Sequence, residues 1–259
     1  MKRIINNLKD YLALRAYLQD PWKFVWSRRT SLPDGEFDIP FKNGFSVRCT
    51  APRIDYHVLN GIFARDEYRL NGTSNGAWDT VVDIGAHIGL FSIRVAPLAR
   101  RVLSYEPMPE NYKYLKSNLA SDRFRHVVPV AKAVSGRTGP IELHVSGTNA
   151  GAHSVVAAPS GTGRVQVEAV TLSQIFAEHG IERCSLLKLD CEGAEYDILS
   201  AAPAELWPRI ERIHMEYHPG PPGWDGEKLA AFLRERGYAC EMVPRSRHAG
   251  YGNMFASRR

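Results

Sequence analysis

The chain has 259 residues, of which 44% are hydrophobic and 24% charged, with a formal net charge of +5. Such values are ordinary for a soluble globular protein and allow one large domain with appendages or two small ones. The basic residues are scattered rather than blocked, which argues against nucleic acid as a partner. Cys49, Cys184, Cys191 and Cys240 form no C-x-x-C pair, which argues against a disulfide framework or structural zinc and fits a reducing compartment.

No apolar run approaches the roughly 20 residues of a membrane span. The opening "MKRIINNLKDYLALRAYL" lacks the apolar centre of a secretory signal, so a cytoplasmic location is expected. Residues 1–20 read as an amphipathic helix: Ile5, Leu8, Leu12 and Ala16 recur at helical spacing and Asp20-Pro21 ends the run. A stripe of this kind docks on the main domain, pairs with a second copy or lies on a membrane surface; docking or pairing is expected. Residues 1–76 are read as this helix plus an irregular extension, serving as substrate cap or homodimer contact.

Residues 77–259 are read as the catalytic domain, because a strand–helix rhythm starts at Trp78. "DTVVDIG" is a strand, "GLFSIRVAPLA" a helix, "RRVLSYEP" a strand and "PENYKYLKSNLAS" a helix with Pro109 in its first turn. "RHVVPVAKAVS" reads as a third strand, and "GPIELHVSG" with "GRVQVEAV" as an inserted strand pair. "TLSQIFAEHG" is a helix capped by Thr171 and stopped by Gly180. "CSLLKLD" is a fourth parallel strand, "GAEYDILSAA" a helix, "RIERIHMEYH" a fifth strand and "GEKLAAFLRERG" a helix; "YACEMV" and "YGNMFAS" close the chain as strands. Strands separated by short helices imply a doubly wound, mostly parallel α/β fold, with ligands at the carboxyl ends of the strands.

The first turn, "VVDIGAHIGLFS", has Gly85 to leave the strand and Gly89 to admit close approach at the helix start. It is not G-x-G-x-x-G, and His87 stands where a second glycine would let a pyrophosphate approach. Asp83 would repel a phosphate there and favour an ammonium or sulfonium. Glu106, followed by Pro107 at the end of the second strand, is placed to accept hydrogen bonds from ribose hydroxyls. A ligand with a ribose, no phosphate and a positive charge fits this pair, and S-adenosylmethionine answers that description where NAD does not. The plainer reading is that both acids only cap helices.

"DIGAHIGLFS", "YEPMPENYKYLKSNL", "AKAVS", "KLDCEGAEYDIL" and "MEYHP" together resemble the FkbM-type methyltransferase family. The likeness runs over roughly residues 63–218, with "KLD-x-EGAE" its most specific segment, and leaves residues 1–60 uncovered. The resemblance implies a Rossmann-like seven-stranded sheet, S-adenosylmethionine as cofactor, and methyl transfer to a hydroxyl of a sugar, glycolipid or polyketide, as in natural-product biosynthesis. His87 falls where the family usually shows Asn.

In "LLKLDCEGAEYDIL", Asp190 ends the fourth strand beside the first turn, facing the methionine end of the cofactor and the acceptor. Glu192 lies in the turn; Glu195 opens the next helix, where its dipole stabilises a carboxylate. Lys188 shares a strand face with Asp190, to pair with a carboxylate or reach a substrate. His218, titrating near neutrality, leads as general base, with Asp190, Glu216 and His153 as rivals. Asp190, Glu216 and His218 also make a possible set of ligands for a divalent metal assisting the transfer. An NAD-linked oxidoreductase and a silent cofactor-binding protein are the remaining alternatives.

Overall fold

The computed structural model describes residues 2–26, 35–49, 52–146, 161–245 and 250–258. Its N-terminal part comprises α1 (Lys2–Leu14), α2 (Pro21–Trp26), the hairpin β1 (Phe37–Pro40) and β2 (Ser46–Cys49), and α3 (Pro52–Leu59), which runs into a π-helical turn, Asn60–Ala64. Then come β3 (Trp78–Ile84), α4 (Leu90–Val95), β4 (Ala99–Tyr105), α5 (Pro109–Asn118), β5 (Val127–Val130), β6 (Ala133–Val134), β7 (Gly139–Ser146) and β8 (Gly161–Val170). The chain finishes with α6 (Leu172–Glu178), β9 (Cys184–Leu189), α7 (Glu195–Ser200), β10 (Arg212–Tyr217), α8 (Gly226–Arg234), β11 (Tyr238–Pro244) and β12 (Gly252–Arg258). Among the described residues no helix is long and apolar enough to cross a membrane.

The central sheet has seven strands in the order β11-β12-β10-β9-β3-β4-β5. From β10 to β5 all neighbours are parallel, and β12 runs antiparallel to β10 and β11. Chain order reverses between β3 and β9, and the crevice at such a switch point is where open α/β sheets take their ligands. Strands β3 and β9 are buried except at Asp79, as parallel strands covered on both faces must be. Two charges nevertheless lie in this apolar pair. Asp83 and Lys188 stand opposite each other in the β3–β9 register.

The helix signals work as the residue types predict. Pro109 occupies the first turn of α5. Thr171 caps α6 in a capping box, its hydroxyl accepting from the Gln174 N–H while the Gln174 side chain accepts from the Thr171 N–H. One strand differs from expectation. "RHVVPVAKAVS" is not continuous: β5 ends at Val130 in the central sheet, and β6 pairs with β8 in a separate three-stranded sheet, β6-β8-β7. Pro129 lacks the N–H a further neighbour would need, and β5 is accordingly the edge strand.

The N-terminal part shares a core with the sheet: Leu14, Leu18, Phe41, Val47, Leu59 and Phe63 cluster with Val81, Val102 and Leu186. Helix α1 does not dock through its sequence-legible stripe. Leu8 and Leu12 are exposed, whereas Asp10, Leu14 and Leu18 are buried. The physical reason is polar: Asn60 donates to the Asp10 carboxylate at 2.9 Å, with Arg65 at 3.9 Å, and that anchor turns the helix.

His214, on β10, ties the same part to the sheet by a 2.8 Å bond between its Nδ1 and the Tyr68 carbonyl. Burial pushes its pKa down to about 4, against the opposing effect of that bond. An unfolded histidine titrates near 6.5, so below that pH the unfolded chain takes up a proton that native His214 refuses. Stability should therefore fall as pH drops from about 6.5 to about 4, by up to about 3 kcal/mol from this group. His214→Asn keeps a donor for Tyr68 and should flatten that slope in urea unfolding followed across the window. An acid-induced loss as steep as that of the parent chain would show that other groups cause it.

Candidate functional site

The turn after β3 is shaped by backbone clearances. Gly85 has φ +79°, and a Cβ on it would stand 1.9 Å from the Asp190 carbonyl oxygen, so no other residue fits. Gly89 has φ +94° and abuts Leu115 of α5, whose Cδ1 would be 2.8 Å from an added Cβ. His87 also lies in the left-handed region, at φ +52°. Asn and His are enriched there among non-glycine residues, which accounts for either occurring at this point. The turn is tied to β4 by Gly85 and Ala86 N–H groups, both donating to the Tyr105 carbonyl.

Beneath the turn, Lys188 holds it from below. Its Nζ is 3.0 Å from Asp83 Oδ1 and donates to the Gly85 carbonyl at 2.7 Å. Ser92 donates to the other Asp83 oxygen at 2.6 Å. Burial works against the Lys188 ammonium, but Asp83 and Asp190 outweigh it and raise its pKa above the ordinary value. Asp83 therefore does not face the ligand as its position before the turn suggested. Its charge is already matched inside the sheet. Lys188 thus pairs with a carboxylate, and it also lines the cavity above the turn.

A cavity of ≈ 550 Å³ opens above the turn, within the usual range for small-molecule sites. Gly85, His87, Glu106, Pro107, Asp190 and Glu216 line it; Gly89 and Asp83 do not. At one end, Glu106 is almost fully buried and accepts the His87 N–H at 2.8 Å and the Met108 N–H at 3.0 Å. Burial raises its pKa, countered by those bonds. Each carboxylate oxygen can accept more than one hydrogen bond, so capacity remains for a ligand.

The other end is acidic. Asp190, Glu192 and Glu216 border the cavity, and Tyr68 donates to Asp190 Oδ2 at 3.1 Å. Burial, reinforced by the Asp190 charge, lifts Glu192 and Glu216 to about 7. Arg245 pairs with Glu216 at 2.8 Å and approaches Glu67 at 3.8 Å. Behind them His218 is buried, its backbone N–H and Nδ1 meeting Glu195 Oε1 at 2.7 and 3.0 Å. Its Nε2 points toward Glu192 at 3.4 Å and Glu216 at 4.0 Å. Burial alone would push His218 down, but the Glu195 bond and the charges of Glu195, Glu192 and Asp190 lift it to about 9. Both ring nitrogens thus face carboxylates, an arrangement that favours the charged form of the imidazole. The ligand-type cluster also differs from expectation: Glu192, rather than Glu216, joins Asp190 and His218. His153 lies outside the described residues.

Residues 83–240 match the profile of the methyltransferase FkbM domain, more than half of the chain. The chain belongs to the FkbM methyltransferase family. It is a methyltransferase, and S-adenosylmethionine is its cofactor. Similar proteins include methyltransferase sdnD of Sordaria araneosa, 27% identical over 73% of this chain and 87% of that one. The 31-O-demethyl-FK506 methyltransferase FkbM of Streptomyces tacrolimicus is 28% identical over 76% of this chain and 86% of its own length. Among solved structures, a methyltransferase FkbM from Methylobacillus flagellatus KT aligns with a TM-score of 0.47 at 12% identity, over 79% of this chain and 54% of that one.

Several residues of this FkbM-family site escape sequence reading. Tyr68, His57, Val58, Ile62, Arg65 and Glu67 reach the cavity from the extension, which carries no strand–helix rhythm. Glu195 was legible only as a charge at a helix start. Its exchange with His218, 23 positions away, follows from neighbouring strand ends that a linear pattern does not display.

Proposed function

We propose that this chain moves the methyl group of S-adenosylmethionine to a hydroxyl oxygen of a small molecule or glycan, in the cytoplasm. The observation that carries the reading is one cavity with two unlike ends: a glycine turn with Glu106, and a cluster of Asp190, Glu192 and Glu216. The residues fit the cofactor, because Gly85 and His87 line the cavity beside Glu106, which retains acceptor capacity for ribose hydroxyls. The bound cofactor supplies an electrophilic methyl on a sulfonium, so the protein's part is alignment and proton removal. Asp190, oriented by Tyr68, favours the cationic end of the cofactor through its charge. Glu216, lifted to about 7, is matched to take the acceptor's proton near neutral pH. The extension residues His57, Val58, Ile62 and Tyr68 cap the acceptor side. A relative named for 31-O-demethyl-FK506 methylation supports oxygen as the target atom and a natural product as acceptor. Exposed Leu8 and Leu12 support α1 as the contact of a homodimer.

Two variants test the assignments. Glu106→Ala should weaken S-adenosylhomocysteine binding by about tenfold or more in calorimetry, through loss of charge-assisted hydrogen bonds. Unchanged affinity would move the ribose contact elsewhere. Glu216→Gln should leave that affinity intact and lower turnover by about 10²–10⁴-fold, read as S-adenosylhomocysteine release with a methylated product by mass spectrometry. Full turnover would give the proton to another group. A product methylated on nitrogen or carbon would overturn the hydroxyl assignment.

A further inference from the structure

The residues around His218 are arranged for more than charge balance. One donor atom each from Asp190, Glu192 and His218 lie within 4.8 Å of one another. We propose that these residues bind a divalent cation of the Mn²⁺ type at the acceptor end of the cavity. Its part in catalysis rests on the methyl-transfer reading, whereas its binding does not.

Three observations converge. First, the imidazole is presented like a metal ligand: Glu195 takes the Nδ1 side at 3.0 Å and leaves Nε2 directed at the carboxylates. Metal-bound histidines characteristically give their second nitrogen to a carboxylate in this way. Glu195 is itself fixed, fully buried and accepting the N–H groups of both Gly193 and His218. Second, Asp190 is oriented by Tyr68, whose hydroxyl takes Oδ2 at 3.1 Å and leaves Oδ1 for another partner. Third, Glu192 occupies a left-handed conformation, φ +52°, without being glycine. Such strain gathers at ligand clamps. Here it turns a carboxylate toward Nε2 at a point where the chain reverses.

Metal–ligand bonds of about 2.1 Å place donors about 3.0 Å apart when adjacent and about 4.2 Å when opposite. A pair at 4.8 Å thus closes by about 0.6 Å if its donors are opposite and by about 1.8 Å if they are adjacent, and among three donors at most one pair is opposite. Glu192 is on a turn and its side chain is 29% exposed, so an inward shift does not require the strands to move. Two carboxylates and one imidazole suit Mn²⁺ better than the thiolate-favouring ions. Any proton on Nε2 would leave as the metal arrives. Three protein ligands leave the remaining positions facing the cavity that Asp190 and Glu192 line. An acceptor carrying a second oxygen beside the methylated hydroxyl would fill two of them, and the cation would lower that hydroxyl's pKa.

The test uses the full chain, stripped with EDTA, desalted and titrated with MnCl₂, free Mn²⁺ being followed by electron paramagnetic resonance. One saturable site per chain is expected. Glu192→Gln and Asp190→Asn should each weaken it by about tenfold or more, and Glu195→Gln by about 10–100-fold through lost orientation of His218. Glu241→Gln, on the outer strand beside Arg69, should bind as the parent does. Circular dichroism confirms that each variant is folded; if Glu195→Gln is not, the partly exposed Glu192 still decides. Absence of saturable binding up to about millimolar Mn²⁺ overturns the proposal, as does binding indifferent to Glu192 and Asp190. S-adenosylhomocysteine binding is measured in the same stripped samples. Retained cofactor binding without Mn²⁺ sinks the cation alone, and loss of both sinks the methyl-transfer geometry with it.

Discussion

The crevice depends on one buried ion pair. Lys188 and Asp83 face each other across β9 and β3, both almost wholly removed from water, and the same ammonium grips the Gly85 carbonyl. Each charge alone in that position would carry a desolvation penalty of several kcal/mol. Together, with Ser92 on the second Asp83 oxygen, they are satisfied and they fix where the turn leaves the strand. The path of the turn then decides what is near it. Gly85 passes under the Asp190 carbonyl, and His87 points its N–H at Glu106. Both ends of the cavity are set from a common point.

The pair also separates two kinds of acid that look alike in sequence. Asp83 is neutralised within the sheet and serves the scaffold. Asp190, Glu192 and Glu216 border the cavity instead, with His218 facing Glu192 and Arg245 paired to Glu216. Burial and mutual repulsion lift Glu192 and Glu216 toward neutrality, where a carboxyl can exchange a proton with an alcohol's environment. A cationic cofactor, and a bound cation, both reduce that repulsion. The electrostatics of the acceptor end are therefore coupled to what occupies it.

Much of this was legible in the sequence where a period or a steric rule governs. The parallel strands announce themselves as apolar runs, the glycine turn as a chain reversal, and Glu106 by its place at the tip of β4. The reading failed where partners come from elsewhere in the chain. Nothing adjacent to Asp83 says that Lys188 lies opposite, because β9 follows β3 only after the sheet has been built outward and returned. The extension's contribution was hidden for a different reason. A π-helical turn and the segment through Tyr68 have no regular period, yet they line the cavity. The α1 stripe does not face the core: Leu8 and Leu12 are exposed, while Leu14 and the Asp10 that accepts from Asn60 are buried.

The central claim is that Asp83 and Lys188 act as one unit. A double-mutant cycle in urea unfolding, with Asp83→Asn, Lys188→Met and the combined variant, tests it directly. Each single change should cost about 3–5 kcal/mol by leaving a buried partner unmatched, and the double should cost far less than their sum. Losses that add to within about 0.5 kcal/mol would mean that the two residues act independently and that something else holds the turn.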